Sequence, residues 1–185
     1  MTDDDAVVAP MMLISMPQLA DPNFVRTVIL LCEYGREGAF GLVVNRPMAE
    51  PAHEVVRTEP EIPIRRDVHL FTGGPVEPMR AWVLTADGSV DDEAMEVADG
   101  VYLTASPAAV RRALQSPPEP RLRVVVGYAG WAPGQLDEEL AQSAWLVAPV
   151  GADLIFGSAP DEMWNAAIQR LGADPAHLLG SSGVH

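Results

Sequence analysis

Apolar positions fall along this chain in short runs, and several of those runs contain no polar residue. Residues 10–16 form an apolar stretch that ends at Pro17. Residues 27–32, from Thr27 to Cys32, are continuous, apolar and rich in β-branched side chains. That pattern predicts a strand buried on both faces. Gly35-Arg36-Glu37-Gly38 then reads as a turn into a second strand, Ala39 to Asn45, which makes a hairpin. Pro47 and Pro51 break the pattern, and the polar residues 52–66 predict a short helix and a loop. Strands are predicted at 68–72 and 81–85, and Asp87-Gly88 and Asp99-Gly100 are turn signals that make 80–104 an antiparallel meander.

Helical periodicity appears later in the chain. Ser106-Pro107 places a hydroxyl cap ahead of a proline at the first helical position, with Val110, Ala113 and Leu114 on one face. Residues 122–127 predict a strand that ends at Gly127, with Gly127 to Trp131 as the turn beyond it. Pro133 to Ala141 reads as a helix, and Trp145 to Val150 as the last strand. Ser158-Ala159-Pro160-Asp161 reads as a cap for a helix whose stripe is Met163, Trp164, Ala167, Ile168 and Leu171. Strands outnumber helices and pair locally, so the fold class is α+β with a mixed, largely antiparallel sheet.

Length fits one domain spanning 1–185, with residues 1–9 as a disordered acidic start. Hydrophobic residues make up 48% of the chain, enough for a sizeable core. Net charge changes the functional picture more. Twelve Lys+Arg stand against 26 Asp+Glu, for a formal charge of -14, and every cation is Arg. Such a chain is repelled by phosphate backbones and by anionic membranes unless its cations gather on one face. The pairs Arg65-Arg66 and Arg111-Arg112 are too few for a basic stripe, and no helix-turn-helix is apparent. The single Cys32 excludes an intrachain disulfide and a cysteine-based zinc site, and no two of the four His share a metal-ligand spacing. No metal and no cofactor is expected. The acidic start and the lack of a long apolar run point to the cytoplasm.

Catalytic signatures are missing too. The chain has no Gly-x-Ser-x-Gly elbow, no phosphate-binding glycine loop and no catalytic constellation legible from spacing. Four segments nevertheless carry more specification than plain structure needs. The first is Leu19-Ala20-Asp21-Pro22-Asn23-Phe24, in which Asp21-Pro22-Asn23 is turn chemistry and Phe24 a core anchor. Asn45-Arg46-Pro47 sets a planar five-donor cation at a strand end, fit for a carboxylate or phosphate or for a structural ion pair. Gly73-Gly74-Pro75-Val76 reads as an anion nest or as a tight corner. Gly127-Tyr128-Ala129-Gly130-Trp131, followed by Pro133-Gly134-Gln135-Leu136, reads as an aromatic ligand wall or as a plug for the sheet. Taken singly, each favours the structural alternative. Three of them lie at predicted strand ends, where loops gather into pockets.

These segments, together with Gly38 to Pro47, Trp145 and the Phe156 to Trp164 region, carry a resemblance to the YqgE/AlgH family of bacterial proteins. It covers the chain from about Met12 to Leu171, and Ser181-Ser182-Gly183 looks like a family end. The resemblance implies a bifurcated mixed sheet, partly closed into a small barrel and flanked by helices. It also implies a bacterial, cytoplasmic protein. Members are labelled transcriptional regulators from a proposed role in alginate synthesis, and no settled catalytic residues carry over. Ala132 stands where glycine or a similarly small residue is expected, and 50–66 is more proline-broken than the family's helix.

Three functions follow as expectations. The first is a non-catalytic binding or regulatory module for a small anionic ligand or a protein partner. Its ligand site would be Arg46, Gly73, Gly74, Trp131 and Gln135. The second is a regulator that contacts DNA directly, which the acidic charge disfavours. The third is a cryptic hydrolase or transferase in which Asp21, Arg46, His69 or Cys32 converge only in the fold.

Overall fold

A computed structural model describes residues 9–17, 19 and 21–177. The acidic start at 1–8, Ala20 of the first motif and the Ser181-Ser182-Gly183 tail lie outside the described residues.

Ten strands form one sheet among the described residues. They are β1 (Met11–Ser15), β2 (Val28–Gly35), β3 (Gly38–Val43), β4 (Pro47–Pro51), β5 (His69–Thr72), β6 (Val76–Thr85), β7 (Met95–Ala98), β8 (Val101–Thr104), β9 (Leu122–Trp131) and β10 (Trp145–Ala148). Among the described residues five α-helices flank the sheet: α1 (Ala52–Val55), α2 (Pro107–Gln115), α3 (Gln135–Ala141), α4 (Ala152–Gly157) and α5 (Met163–Arg170). The order along the main path is β10-β1-β2-β3-β9-β6-β8-β7, and the sheet curls into a half-barrel. Every pairing on that path is antiparallel. The α+β class with a mixed, largely antiparallel sheet is what the chain adopts.

The sheet forks at β9. On one edge β9 pairs with β6 along most of its length. Its other edge is shared. Residues 129–131 pair with β3, whereas residues 124–126 pair in parallel with β5. Strand β5 is therefore a wedge, held between β9 and the edge strand β4. Gly73 lies at the tip of the wedge. Its N–H donates to the Val126 carbonyl at 2.7 Å, and its own carbonyl accepts from Val43 N–H at 2.8 Å.

Three of the predicted boundaries move, each for a physical reason. Gly127 does not end β9: with φ of 76° it bends the strand, which continues to Trp131. Pro47–Pro51 is a strand after all, because an edge strand tolerates the donors that proline lacks. The meander is not sequential, since β6 and β7 both pair with β8 and only Asp99-Gly100 closes a hairpin. Helix α4 was not apparent from the pattern. Ser158 does not cap α5, whose first flanking residue is Glu162. Elsewhere the local rules hold. The Ser106 hydroxyl accepts from Ala109 N–H ahead of α2, and Met163, Trp164, Ala167 and Ile168 are buried, whereas Leu171, the last residue of the predicted stripe, follows the end of α5 and is exposed.

The two faces of the sheet bury different clusters. Met12, Leu30, Leu42, Trp82 and Val125 cluster with Phe156 of α4 and Trp164 of α5. Leu70, Val124 and Val126 cluster with Ala52 of α1 and Leu114 of α2. The fork predicts that a side chain is not tolerated at its tip. A Cβ on Gly73 would penetrate the Gly127 carbonyl oxygen and come within 2.6 Å of Val125 Cγ1, and one on Gly74 would penetrate the Tyr128 carbonyl. Gly73→Ala and Gly74→Ala are each expected to cost about 2–3 kcal/mol in urea denaturation. Gly35→Ala, where a Cβ meets nothing within 4 Å, is expected to be near neutral.

Candidate functional site

The five residues expected to form a ligand site are tied into the frame of the protein. Arg46 sits at the end of the chain segment that follows β3, and its guanidinium faces the turn at Asp21 to Val25. It donates to the carbonyls of Asn23, of Val25 at 2.8 Å and of Pro22 at 3.4 Å. Asp21 shapes that turn by accepting from Asn23 N–H at 2.9 Å. Burial lowers the Arg46 guanidinium from its ordinary value, and the nearby Asp21 charge offsets part of that. No carboxylate holds Arg46 in an ion pair among the described residues; its partners are backbone carbonyls. Its neighbour Asn45 is buried and bridges two strands, accepting from Val28 N–H and donating to the Arg26 carbonyl.

Phe24, at the end of the same turn, reaches the fourth motif. Its ring lies 6.5 Å from Trp131 and 5.6 Å from Trp145, and the two indoles are 6.1 Å apart. Both indoles donate to Glu139 Oε1 of α3, at 3.2 Å and 2.8 Å. Gln135 donates to Glu139 Oε2 and accepts from Ala132 N–H, so it closes the turn into α3. Trp131 is buried, as are Gly73 and Gly74 in the fork. Arg46 and Trp131 are thus linked through Phe24, by packing and not by an open pocket.

The open space lies elsewhere. A cavity of about 500 Å³ sits where β6 ends and β9 begins, beside the last turns of α2. None of the five expected residues lines it. Its depth is graded. Val83, Val124 and Phe156 are buried in its wall, and Phe71 and Arg123 are half-buried beside them at the floor. Exposed residues form the mouth, among them Asp67, His69, Asp87, Arg112 and the stiff segment Ser116-Pro117-Pro118-Glu119-Pro120.

Arg123 is the polar centre of this cavity. Its guanidinium carbon lies 4.6 Å from the centroid of the Phe71 ring and 6.0 Å from that of Phe156. One N–H donates to the Val44 carbonyl at 3.2 Å. Among the described residues no carboxylate pairs with it: the arginine ion pairs are Arg65–Asp67, Arg80–Glu77 and Arg170–Asp153. Burial alone lowers the Arg123 guanidinium from its ordinary value, and a guanidinium so placed stays charged. The sequence carried one signal for it: a cation inside the apolar run 122–127. A charge there must be matched by something in the fold or by something bound.

Of the four residues weighed for catalysis, Asp21 and Arg46 are the two that interact, at the Asp21 to Val25 turn. Asp21 serves its turn, and His69 sits at the cavity mouth. Cys32 is buried enough to raise its thiol to about 12, with Glu33 adding to the shift, so it is not a nucleophile at neutral pH. Among the described residues no group of three or more His, Cys, Asp or Glu could hold a metal. One arginine of each adjacent pair is engaged locally: Arg65 is bound by Asp67 through two hydrogen bonds, and Arg112 donates to the Val90 carbonyl. No helix among the described residues is long and apolar enough to cross a membrane.

Comparison with known proteins now adds a family. A family model described as AlgH-like matches residues 12–176, and the chain belongs to that family. A UPF0301 protein of Myxococcus xanthus is 38% identical over 181 residues, covering 96% of this chain and 98% of the relative. A UPF0301 protein of Xanthomonas oryzae pv. oryzae is 38% identical over 182 residues, covering 95% of each. The solution structure of the AlgH protein from Pseudomonas aeruginosa matches with a TM-score of 0.72 and 33% identity over 97% of this chain and 99% of that one. A crystal structure of a Corynebacterium diphtheriae protein, 22% identical, shares the fold with a TM-score of 0.71 over 99% of this chain and 95% of its own.

Two outcomes are expected from this geometry. Arg46→Ala lowers stability by about 2 kcal/mol in chemical denaturation, and Arg46→Lys recovers less than half, because an ammonium does not span three carbonyls. Cys32 resists a thiol-specific reagent at mildly alkaline pH in the native protein and reacts on unfolding. Its thiol is raised from 9.0 to about 12 in the fold, so the unfolded chain loses its proton first and stability falls as pH rises through that window.

Proposed function

We propose that this AlgH-like protein is a non-catalytic binding module that takes a small organic anion into the cavity beside Arg123. The observation that carries this reading is a half-buried guanidinium with no carboxylate partner among the described residues, in a chain with 26 acidic residues. Desolvating a charge without a counter-ion is costly, and a bound anion offsets that cost with a two-pronged hydrogen bond to the guanidinium. The cavity volume lies in the range of small-molecule sites, and its floor is apolar with few polar groups. Regulation would follow from occupancy, through a protein partner that distinguishes the filled from the empty form. Direct contact with DNA fits this charge distribution poorly, since the chain is strongly acidic and Arg65 and Arg112, one from each adjacent pair, are engaged locally.

The test is calorimetric titration, supported by thermal shift, with inorganic phosphate, acetate, citrate, phenyl phosphate and naphthoate. Wild type, Arg123→Met and Arg46→Ala are compared. Methionine keeps an unbranched apolar stem against Phe71 and removes the charge together with the N–H donors, the one to the Val44 carbonyl included. At least one of these anions is expected to bind wild type. Arg123→Met is expected to weaken that binding by about 10–100-fold, the worth of a charged hydrogen-bond pair. Arg46→Ala is expected to melt earlier yet keep the ligand-induced rise. Equal binding by wild type and Arg123→Met would overturn the reading.

A further inference from the structure

The mouth and the floor of the cavity carry opposite charge, and this restricts what the cavity holds. We infer that its ligand is an amphiphilic monoanion: one carboxylate on an apolar, ring-sized body, seated with the carboxylate on Arg123 and the body against Phe71, Phe156 and the proline rim. This rests on the binding reading above and deepens it by naming the charge and shape of the ligand.

The floor offers a single positive charge. Arg123 is held between Phe71 and Phe156, and one of the five N–H groups of its fork is given to the Val44 carbonyl. The rest is enough for one carboxylate bound through both oxygens. The surrounding wall is apolar, with Val83, Val124 and Phe156 buried. It has no second half-buried cation to receive a second anionic group: Arg112 is exposed and donates to the Val90 carbonyl.

The mouth repels a second negative charge. Asp67, Asp87 and Glu119 stand there against Arg112. Arg65 compensates Asp67 at 2.8 Å. Asp87 is not neutralised by a cation. It accepts from both the N–H and the hydroxyl of Ser89, which hold it below the usual carboxylate range, and it stays ionised. Glu119 sits on the rim segment between Pro118 and Pro120. A dianion or polyphosphate that placed one group on Arg123 would hold its other group among these carboxylates. A neutral or cationic outer end meets no such penalty.

The rim is also stiff. Three prolines flank Glu119, and the bridge between Glu119 and Leu122 ties the segment to the start of β9. Flat apolar walls of this kind suit a rigid ring, which loses little conformational freedom on binding.

The experiment compares three probes of one shape by calorimetry: naphthoate, naphthalenedicarboxylate and naphthamide. They are titrated into the full chain as wild type, as Arg123→Met and as the double variant Asp87→Asn with Glu119→Gln. Asparagine keeps the acceptor oxygen that Ser89 uses, so the turn is retained. Naphthoate is expected to bind wild type at least about tenfold more tightly than the dianion, and naphthamide to bind at least about tenfold more weakly than naphthoate. In the double variant the gap between monoanion and dianion is expected to shrink to about threefold or less. If the dianion binds wild type as well as naphthoate does, and both depend on Arg123, the charge class is overturned and the binding reading stands. If naphthamide equals naphthoate, the carboxylate has no role and both readings fail. If none of the three binds, the inference drawn here fails, whereas Arg123-dependent binding of phenyl phosphate, citrate or inorganic phosphate would still support an anion site.

Discussion

A strand with one edge divided between two partners is the constraint around which this protein is built. Strand β9 must accept β3 over residues 129–131 and β5 over residues 124–126 on the same edge. Three backbones then converge within hydrogen-bonding distance at Gly73, leaving no room for a Cβ. The two glycines of the Gly73-Gly74-Pro75 segment and Gly127 across from them answer one steric demand. An anion nest would need those backbone amides free, and Gly73 N–H is already donated to Val126.

The same fork also builds the cavity. Because β5 is driven in beside β9, Phe71 of β5 lies under the guanidinium of Arg123, and the Val44 carbonyl is brought to its edge. At the other end of β9, where β3 is the neighbour, the edge is sealed by Phe24, Trp131 and Trp145 around the Glu139 carboxylate. One end of the strand is closed by aromatic packing and the other is left open around a charge. Arg46 belongs to the closed end, where it staples the Asp21 to Val25 turn that carries Phe24 into place.

Much of the fold was legible because its rules are local. The apolar run that becomes β2, the hydroxyl-proline start of α2 and the stripe of α5 each follow from a few adjacent residues. What was not legible depends on partners distant in the chain. Gly127 looks like a strand end until β6 and the fork require a bend there, and Pro47–Pro51 looks like a break until β5 gives it an edge to pair with. The resemblance to a family with a bifurcated sheet supplied the architecture that spacing did not. The site was harder. The four motifs do meet, through Phe24, Arg46 and the fork, but as the frame of the protein and not as the wall of its cavity. Arg123 was visible only as one cation in an apolar strand. Its lack of an acidic partner is a property of three dimensions, since 26 acids in the sequence gave no reason to expect it.

The placement of the tryptophans has an optical consequence. Trp131 and Trp145 share one carboxylate at the sealed end of the sheet, Trp164 donates to the Ser15 carbonyl, and Trp82 lies in the core against Phe40. None of the four lines the cavity. Intrinsic emission from this protein therefore follows the integrity of the sheet and its closed end, while a molecule entering beside Arg123 meets only phenyl rings, which absorb weakly and emit little. Occupancy by a ligand with no chromophore of its own is dark to intrinsic emission, and an indole introduced at the mouth would make it visible.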